Sequence, residues 1–359
     1  MKHSVKLLPL VLALSLLALS LAGCGPALPR ICPVARVTQT TTYEYFQSER
    51  EPVEATTVTE YDEKGLATRL DISMAGESIP LELRYSFDEQ GNPVLVSTLV
   101  MGQELVMTLE NRYEDGKLRE AVITDLQLEG ESLLENLAEE PGALTASISG
   151  VVFRPVERFI GYRSCTLRLA GSEDRRDYEN GRQVYSLMGS GNLKIETLTD
   201  YGTGGAVTTT IRYLSASDGT LQNGTVTETD GENLLRRLEM TGPGGEKLSL
   251  SFRCEEGEKD GQRVKYAYLD DITASGSEEV LERAAELETV KGQPYGEYLL
   301  DEKGRVSSCT LHQGLLTPEE EFSQEWSRLF DAAGRELRSE QRLQTADLLS
   351  ITVTETEYR

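Results

Sequence analysis

The 359-residue sequence is short of the groups that most enzymes and nucleic-acid binders need. It has two histidines (His3 and His312), one tryptophan, and 36 basic against 60 acidic residues, for a formal net charge of −24. So few histidines exclude a multi-histidine metal centre and leave any Ser–His or Cys–His pair a single base in the body of the chain. The acidic balance excludes a nucleic-acid partner, because phosphate binding needs clustered Lys and Arg to displace counterions. No GxSxG elbow and no HExxH occurs, and the cysteines are too far apart for a metal knuckle or redox pair. The apolar run Leu7 to Leu21 is 15 residues long, short of the ~20 that a helix needs to cross a bilayer. With 38% apolar and 27% charged residues, the rest reads as globular.

Basic Lys2 and Lys6 precede that run, and Leu21-Ala22-Gly23-Cys24 ends it. Small residues before a cleavage point mark a secretory signal. A cysteine directly after them resembles a bacterial lipobox, which implies cleavage after Gly23 and a thioether-linked diacylglycerol on Cys24. Residues 1–23 are then a signal peptide and 24–37 the lipidated cysteine with its tether, in which Gly25 to Pro33 carries three prolines and is stiff. Two or three acyl chains hold a protein on a membrane stably. Cleavage leaves 34 basic against 60 acidic residues, so the body stands off an anionic surface. Cys32, Cys165, Cys254 and Cys309 remain, either as two structural disulfides in one of three connectivities or as free buried thiols.

From Thr38 the texture is alternation interrupted by turns. Tyr61 is followed by Asp62-Glu63-Lys64-Gly65, Phe87 by Asp88-Glu89-Gln90-Gly91 and Tyr113 by Glu114-Asp115-Gly116. Asp301 to Arg305 and Asp331 to Arg335 repeat the shape. Asp at the turn start bonds the backbone two residues on, and Gly supplies positive φ. Tyr61, Phe87 and Tyr113 are 26 residues apart, the length of two strands with their turns. These turns resemble the YD repeat of Rhs-type secreted bacterial proteins, Tyr-Asp-x-x-Gly-Arg-Leu. The resemblance covers the turns only, and implies hairpins without implying an activity.

A coarser duplication overlies them. Tyr61 matches Tyr201, Asp115-Gly116 matches Asp260-Gly261, Leu134 matches Leu281, and Ser164-Cys165-Thr166-Leu167 recurs at Ser308-Cys309-Thr310-Leu311, all at one offset of roughly 145 residues. The expected fold is mainly β: an extended or curved antiparallel hairpin meander in two similar halves, 38–198 and 199–359, each with one short packed helix. The first helix covers Ser132 to Glu140, with Leu133, Leu134, Leu137 and Ala138 on its buried face. The second opens with a capping box at Ser275 to Glu278 and buries Val280, Leu281, Ala284 and Ala285. After Thr317, Phe322, Trp326 and Phe330 fit strand parity, with the turn at Asp331 closing the strand. Element order alone also resembles carriers of the LolA and LolB type, which hold acyl chains between a bent sheet and plugging helices.

Candidate chemistry is sparse. The glycine-rich stretches at Gly202 to Gly205 and Gly242 to Lys247 complete no phosphate-loop pattern and lie between β-type runs, so they read as turns. Glu139-Glu140, Glu255-Glu256 and Glu319-Glu320-Glu321 lack calcium-loop spacing and read as solvated faces. His312 reads as a strand residue facing solvent. No catalytic, cofactor-binding or metal residue is expected; the one site residue is Cys24, the lipidation point. The expectation is a non-enzymatic binding or scaffolding lipoprotein outside the cell or outer membrane, its partners the membrane through Cys24 and an envelope protein, glycan or lipid. A carrier of a hydrophobic ligand is the alternative. A carboxylate-dependent hydrolase needs two converging acids and has only one Trp as a sugar platform.

Overall fold

The computed structural model describes residues 31–46, 51–74, 76–133, 152–190, 192–232, 234–312, 323–344 and 348–359. The first strands are β1 (Val34–Tyr45), β2 (Val53–Tyr61), β3 (Ala67–Met74), β4 (Glu77–Glu82), β5 (Arg84–Phe87), β6 (Pro93–Val100), β7 (Gln103–Glu114), β8 (Lys117–Leu128) and the short β9 (Glu131–Ser132). After a crossing segment come β10 (Thr166–Leu169), β11 (Arg175–Glu179), β12 (Arg182–Ser190), β13 (Leu193–Tyr201), β14 (Val207–Ser215), β15 (Leu221–Thr229), β16 (Leu235–Thr241), β17 (Lys247–Lys259) and β18 (Gln262–Ser275). Helix α1 (Glu278–Glu288) leads to β19 (Pro294–Leu300), β20 (Val306–His312), β21 (Ser323–Phe330), β22 (Glu336–Gln344) and β23 (Leu348–Tyr358).

All 23 described strands belong to one sheet, and the sheet nearly closes on itself. β1 pairs antiparallel with β2 on one side and with β23 on the other, Thr40 facing Thr56 and Val353. β3 holds β4, and β5 holds β6. The step between those two pairs runs through the chain at Leu83, whose N–H bonds to the Thr68 carbonyl at 3.0 Å. One pairing departs from the expected antiparallel meander: β10 lies parallel to β8, Leu167 beside Ala121. The chain therefore crosses the ring between these strands instead of turning back.

Strand alternation sorts side chains onto the two faces. In β17, Leu248, Leu250 and Phe252 are buried, and in β16 Leu238 and Met240 meet Leu250 and Leu248 across the ladder. Two cores fill the ring. One joins these residues with Leu269, Tyr295 and Trp326 beneath Leu287 of α1. The other joins Val96, Met107, Leu109, Ala121 and Ile123 around Phe153, Val156, Phe159 and Tyr162 of the crossing segment. Between the cores run threonine-rich strands, with cross-strand Thr40–Thr56 and Thr41–Thr352 hydroxyl contacts of 3.1 and 3.2 Å.

Several expectations need correction. Ser132 ends β9, and Leu134 to Glu140 lie outside the described residues. Leu133, the one apolar face residue of that expected helix that is described, is helical and packs against this core, which residues 152–162 also fill, with a 3-10 turn at Ile160–Tyr162. Helix α1 does form, but its N-cap Ser277 makes no side-chain hydrogen bond. Its buried stripe is Val280, Ala284 and Leu287, while Leu281 is 50% exposed. The Cys165 strand adjoins β8 directly, whereas the Cys309 strand is separated from β18 by β19, so those identical tetrapeptides occupy different places. Residues 198 and 199 lie within β13, both paired with β14 and Leu198 also with β12. After 317, the strand reading agrees with β21.

The Asp turns are one five-residue device. At Asp331 the backbone N–H bonds the Arg335 carbonyl, Oδ1 accepts from the N–H of Ala333 (2.8 Å) and Arg335 (2.9 Å), and Oδ2 accepts from Arg335 Nε (2.7 Å). Gly334 takes φ 78°, which a side chain would strain. Asp62, Asp88, Asp230 and Asp301 each bond the backbone N–H four residues on in the same way. Replacing Asp331 with Ala removes three hydrogen bonds and should cost about 1–2 kcal/mol in urea unfolding. Asp331→Asn keeps an acceptor for both N–H groups and should cost less than half as much.

Candidate functional site

Antiparallel neighbours place alternate turns at opposite ends of the ring. With β10 parallel to β8, the turns after β2, β5, β7, β11, β13, β15, β17, β19 and β21 share one end with Val34 and Tyr358. All five Asp turns are there. So is the chain's entry: Cys32 N–H bonds the Glu63 carbonyl at 2.7 Å, and the Arg359 guanidinium donates to the carbonyls of Cys32, Val34 and Tyr61. Cys24 itself lies outside the described residues, eight positions before Cys32. Eight residues reach at most about 28 Å, so the expected tether belongs to this end.

A cavity of about 360 Å³ opens at that end, lined by the turn residues Gln90 and Asn92, by Tyr113 and Gly116 to Arg119, and by Gly161, Arg163 and Ser164. Three segments build it. The Asp88 turn and the β7–β8 hairpin supply two walls, and the end of the crossing segment supplies the third. Gly161 must stay small, since a Cβ there would stand 2.2 Å from the Phe159 ring and 2.9 Å from Asn92 Oδ1. Under the cavity, Asn92 Nδ2 donates to Tyr113 Oη (2.8 Å), Tyr113 donates to the Asp88 carboxylate, and Asn111 Nδ2 donates to Asp88 Oδ2 (2.8 Å). Burial pushes the Asp88 carboxyl up, but the bonds from Tyr113, Asn111 and the Asn92 and Gln90 N–H groups bring it below its ordinary range.

The crossing segment carries a charge network into the ring. Glu157 Oε2 meets Arg176 Nη1 at 2.9 Å, with side chains 25% and 13% exposed. Arg158 stacks on Tyr61 at 5.4 Å and Arg176 on Phe153 at 4.9 Å, while Tyr178 Oη donates to the Glu157 carbonyl at 3.1 Å. Burial pushes the Glu157 carboxyl up, and the Arg176 and Arg158 charges more than offset this, holding it below its usual value. Glu157, Arg176 and Tyr178 are bonded to one another and to the backbone, as a lock for the segment requires.

The remaining candidates disperse. All four described cysteines are free thiols: Cys165 and Cys309 belong to the two large cores and Cys32 to a smaller one with Val34 and Tyr61. Burial pushes the Cys309 thiol up to about 11 and the Cys165 thiol up to about 12, which makes them poor nucleophiles. His312 stands 3.8 Å from Glu297 and 3.7 Å from Glu325. Glu255 pairs with Arg253, and Glu256 with Arg263 at 3.8 Å; Glu139-Glu140 and Glu319 to Glu321 lie outside the described residues. Among the described residues no group of three His, Cys, Asp or Glu could hold a metal ion. Gly202 and Gly242 open five-residue turns, each bonding through its N–H to the carbonyl four residues on. The sequence reading missed both the cavity and the plug. The plug left one signal: Phe153, Val156, Phe159 and Tyr162 recur every third residue, the period of a 3-10 turn.

No family model and no curated protein matches the chain. Among solved structures, it aligns with a porin-like protein from Bacteroides vulgatus ATCC 8482 at TM-score 0.24 and 11% identity, covering 91% of this chain and 98% of that one. A porin-like protein from Bacteroides uniformis ATCC 8492 gives 0.24 and 8%, covering 93% and 100%. Pseudomonas aeruginosa OccK10 gives 0.21 and 10%, covering 91% and 99%. Scores this low carry no argument about fold or activity. The side chains do speak to a membrane-embedded barrel, which needs an apolar outer band. Here the face opposite the cores carries Arg69–Asp71, Arg112–Glu120–Arg168, Arg237–Glu239–Lys247 and Arg338–Glu340 within the strands.

Glu157→Gln leaves Arg176 and Arg158 without their carboxylate and should cost about 2–3 kcal/mol, a buried-pair loss reduced by partial exposure. Because the folded-state pKa is depressed, wild-type Glu157 contributes its stability above the ordinary carboxylate pKa, and that contribution is lost as pH falls through the lowered one. Urea unfolding from pH 7 down to pH 3 should show a gap between wild type and E157Q that closes at the acid end. Titration of the denatured mature body with a thiol reagent should count four reactive sulfhydryls; two would show a disulfide.

Proposed function

We propose that the protein is a lipoprotein of the bacterial cell envelope, anchored outside the membrane through Cys24 and acting as a non-enzymatic binding or scaffolding module. The observation that carries the binding-module reading is the filled space under α1. Leu287 and Leu250 are fully buried, Leu269 is 3% and Tyr295 1% exposed, which leaves no room there for an acyl chain. The lipobox-like Leu21 to Cys24 and the entry of the chain at the tether end support the anchor. With that end toward the membrane, the opposite rim and the charged outer wall face away from it, available to an envelope protein or glycan.

The hydrophobic-carrier reading keeps one observation in its favour. Ile72 and Met74 share a face with buried Leu70, on the core side of β3, yet are 37% and 60% exposed. We also propose that the ring arose by duplication. β2, β3, β4–β5, β6, β7 and β8 correspond in order to β13, β14, β15, β16, β17 and β18, and the Asp115-Gly116 and Asp260-Gly261 turns share positive φ at both residues. The correspondence stops where β10 joins β8 in parallel and β19 joins β18 antiparallel.

In a bacterial host fed labelled palmitate, the wild-type chain should be labelled and sediment with membranes; Cys24→Ser should be unlabelled. An equally labelled C24S protein would refute the anchor. Native mass spectrometry of the body from Arg30 should give a clean apo mass, whereas a lipid released on unfolding would replace the scaffold with the carrier.

A further inference from the structure

The tether-end cavity reverses the sign of the molecule's charge. In a chain with 60 acidic and 36 basic residues, three cations, Lys117, Arg119 and Arg163, line one opening of about 360 Å³. Arg119 is partly engaged by Glu114 at 3.3 Å. Among the described residues, neither Lys117 nor Arg163 has a carboxylate within ion-pair distance, although most other Lys and Arg side chains of the strands do. Asp88, which opens the turn that supplies Gln90 and Asn92 to the lining, is engaged by Tyr113, Asn111 and two backbone N–H groups. The lining adds Ser164, Asn92 and Gln90, whose side chains carry hydrogen-bond donors. A volume at the low end of the small-molecule range takes a compact anion together with the group that carries it.

We propose that this cavity binds a phosphate-bearing anion, with Lys117 and Arg163 as its charge partners and Ser164 and Asn92 as hydrogen-bond donors. A tetrahedral phosphate offers several acceptor oxygens to donors converging from three segments, and charge-assisted bonds are about twice as strong as neutral ones. The position at the tether end makes two sources reachable: the headgroup of an anionic phospholipid, or a soluble phosphate ester. The inference deepens the binding-module reading and rests on the anchor only for the headgroup source.

The body from Arg30 contains every described strand of the ring and its closing β1–β23 ladder, and its fold is checked first by circular dichroism and cooperative urea unfolding. It is titrated calorimetrically with glycerol 3-phosphate, and separately sedimented with phosphatidylcholine vesicles with and without phosphatidylglycerol. The expected result is binding in at least one arm, weakened about tenfold or more in Lys117→Ala/Arg163→Ala. A pair with the same charge loss on the outer wall, Arg338→Ala/Arg342→Ala, should bind like wild type. Loss in the glycerol 3-phosphate arm identifies a soluble ester, and loss in the vesicle arm alone identifies the headgroup. No binding in either arm, or equal loss in the outer-wall pair, overturns the proposal. Because the body lacks Cys24, these outcomes stand whether or not the palmitate experiment supports the anchor.

Discussion

The contact on which the other features depend is the pairing of β1 with both β2 and β23. Residues more than 300 positions apart, such as Thr41 and Thr352, are brought into one ladder. An open sheet of this length would present two unpaired edges, each a template for aggregation. Joining first and last strands removes those edges and leaves one step bridged by chain at Leu83. It also brings Cys32 and Arg359 together, and so decides which turns share an end with the chain's entry at Cys32.

A ring so wide cannot be filled by strand side chains alone. The chain solves this twice, by different means. Beneath α1, an amphipathic helix lies on β17 and β18 and inserts Leu287. In the other core, residues 152–162 pack among the strands, and their polar backbone has to be satisfied from the sheet. Ala67 N–H bonds Pro155 O at 3.0 Å, Ile160 N–H bonds Lys64 O at 2.8 Å, and Tyr85 Oη donates to the carbonyls of Ala67 and Pro155. The Glu157–Arg176 pair pins the same segment. Its last residues, Gly161 to Ser164, then form a wall of the cavity, so the cavity's geometry is inherited from the plug's lock.

What the sequence displayed and what it concealed divide by range. The Asp turns were legible because their chemistry closes within five residues: at Asp301 and Asp331 one carboxylate serves two N–H groups and the following Arg. The strand at 323–330 was legible because Trp326 and Phe330 keep strand parity into such a turn. Ring closure was not, since Thr-rich β1 and β23 carry no local mark of their partner. The helix at 278–288 was read from its composition, but its face was misjudged because Leu287 lay beyond the residues weighed. The repeated Ser-Cys-Thr-Leu misled because four residues match without the strands around them matching. The cavity was hidden for the plainest reason: Gln90, Lys117 and Arg163 come from separate segments, and nothing in their spacing brings them together.

Hydrogen–deuterium exchange of the intact body, resolved by peptide, tests ring closure most directly. The account predicts that amides of Thr38–Thr42 in β1 and Ile351–Thr354 in β23 are protected to the level of Leu248–Phe252 in β17, because both strands are paired on two sides. Exchange of β1 and β23 as rapid as that of the exposed turn at Asp301 to Arg305 would mean that the sheet is open there, and would contradict the ring.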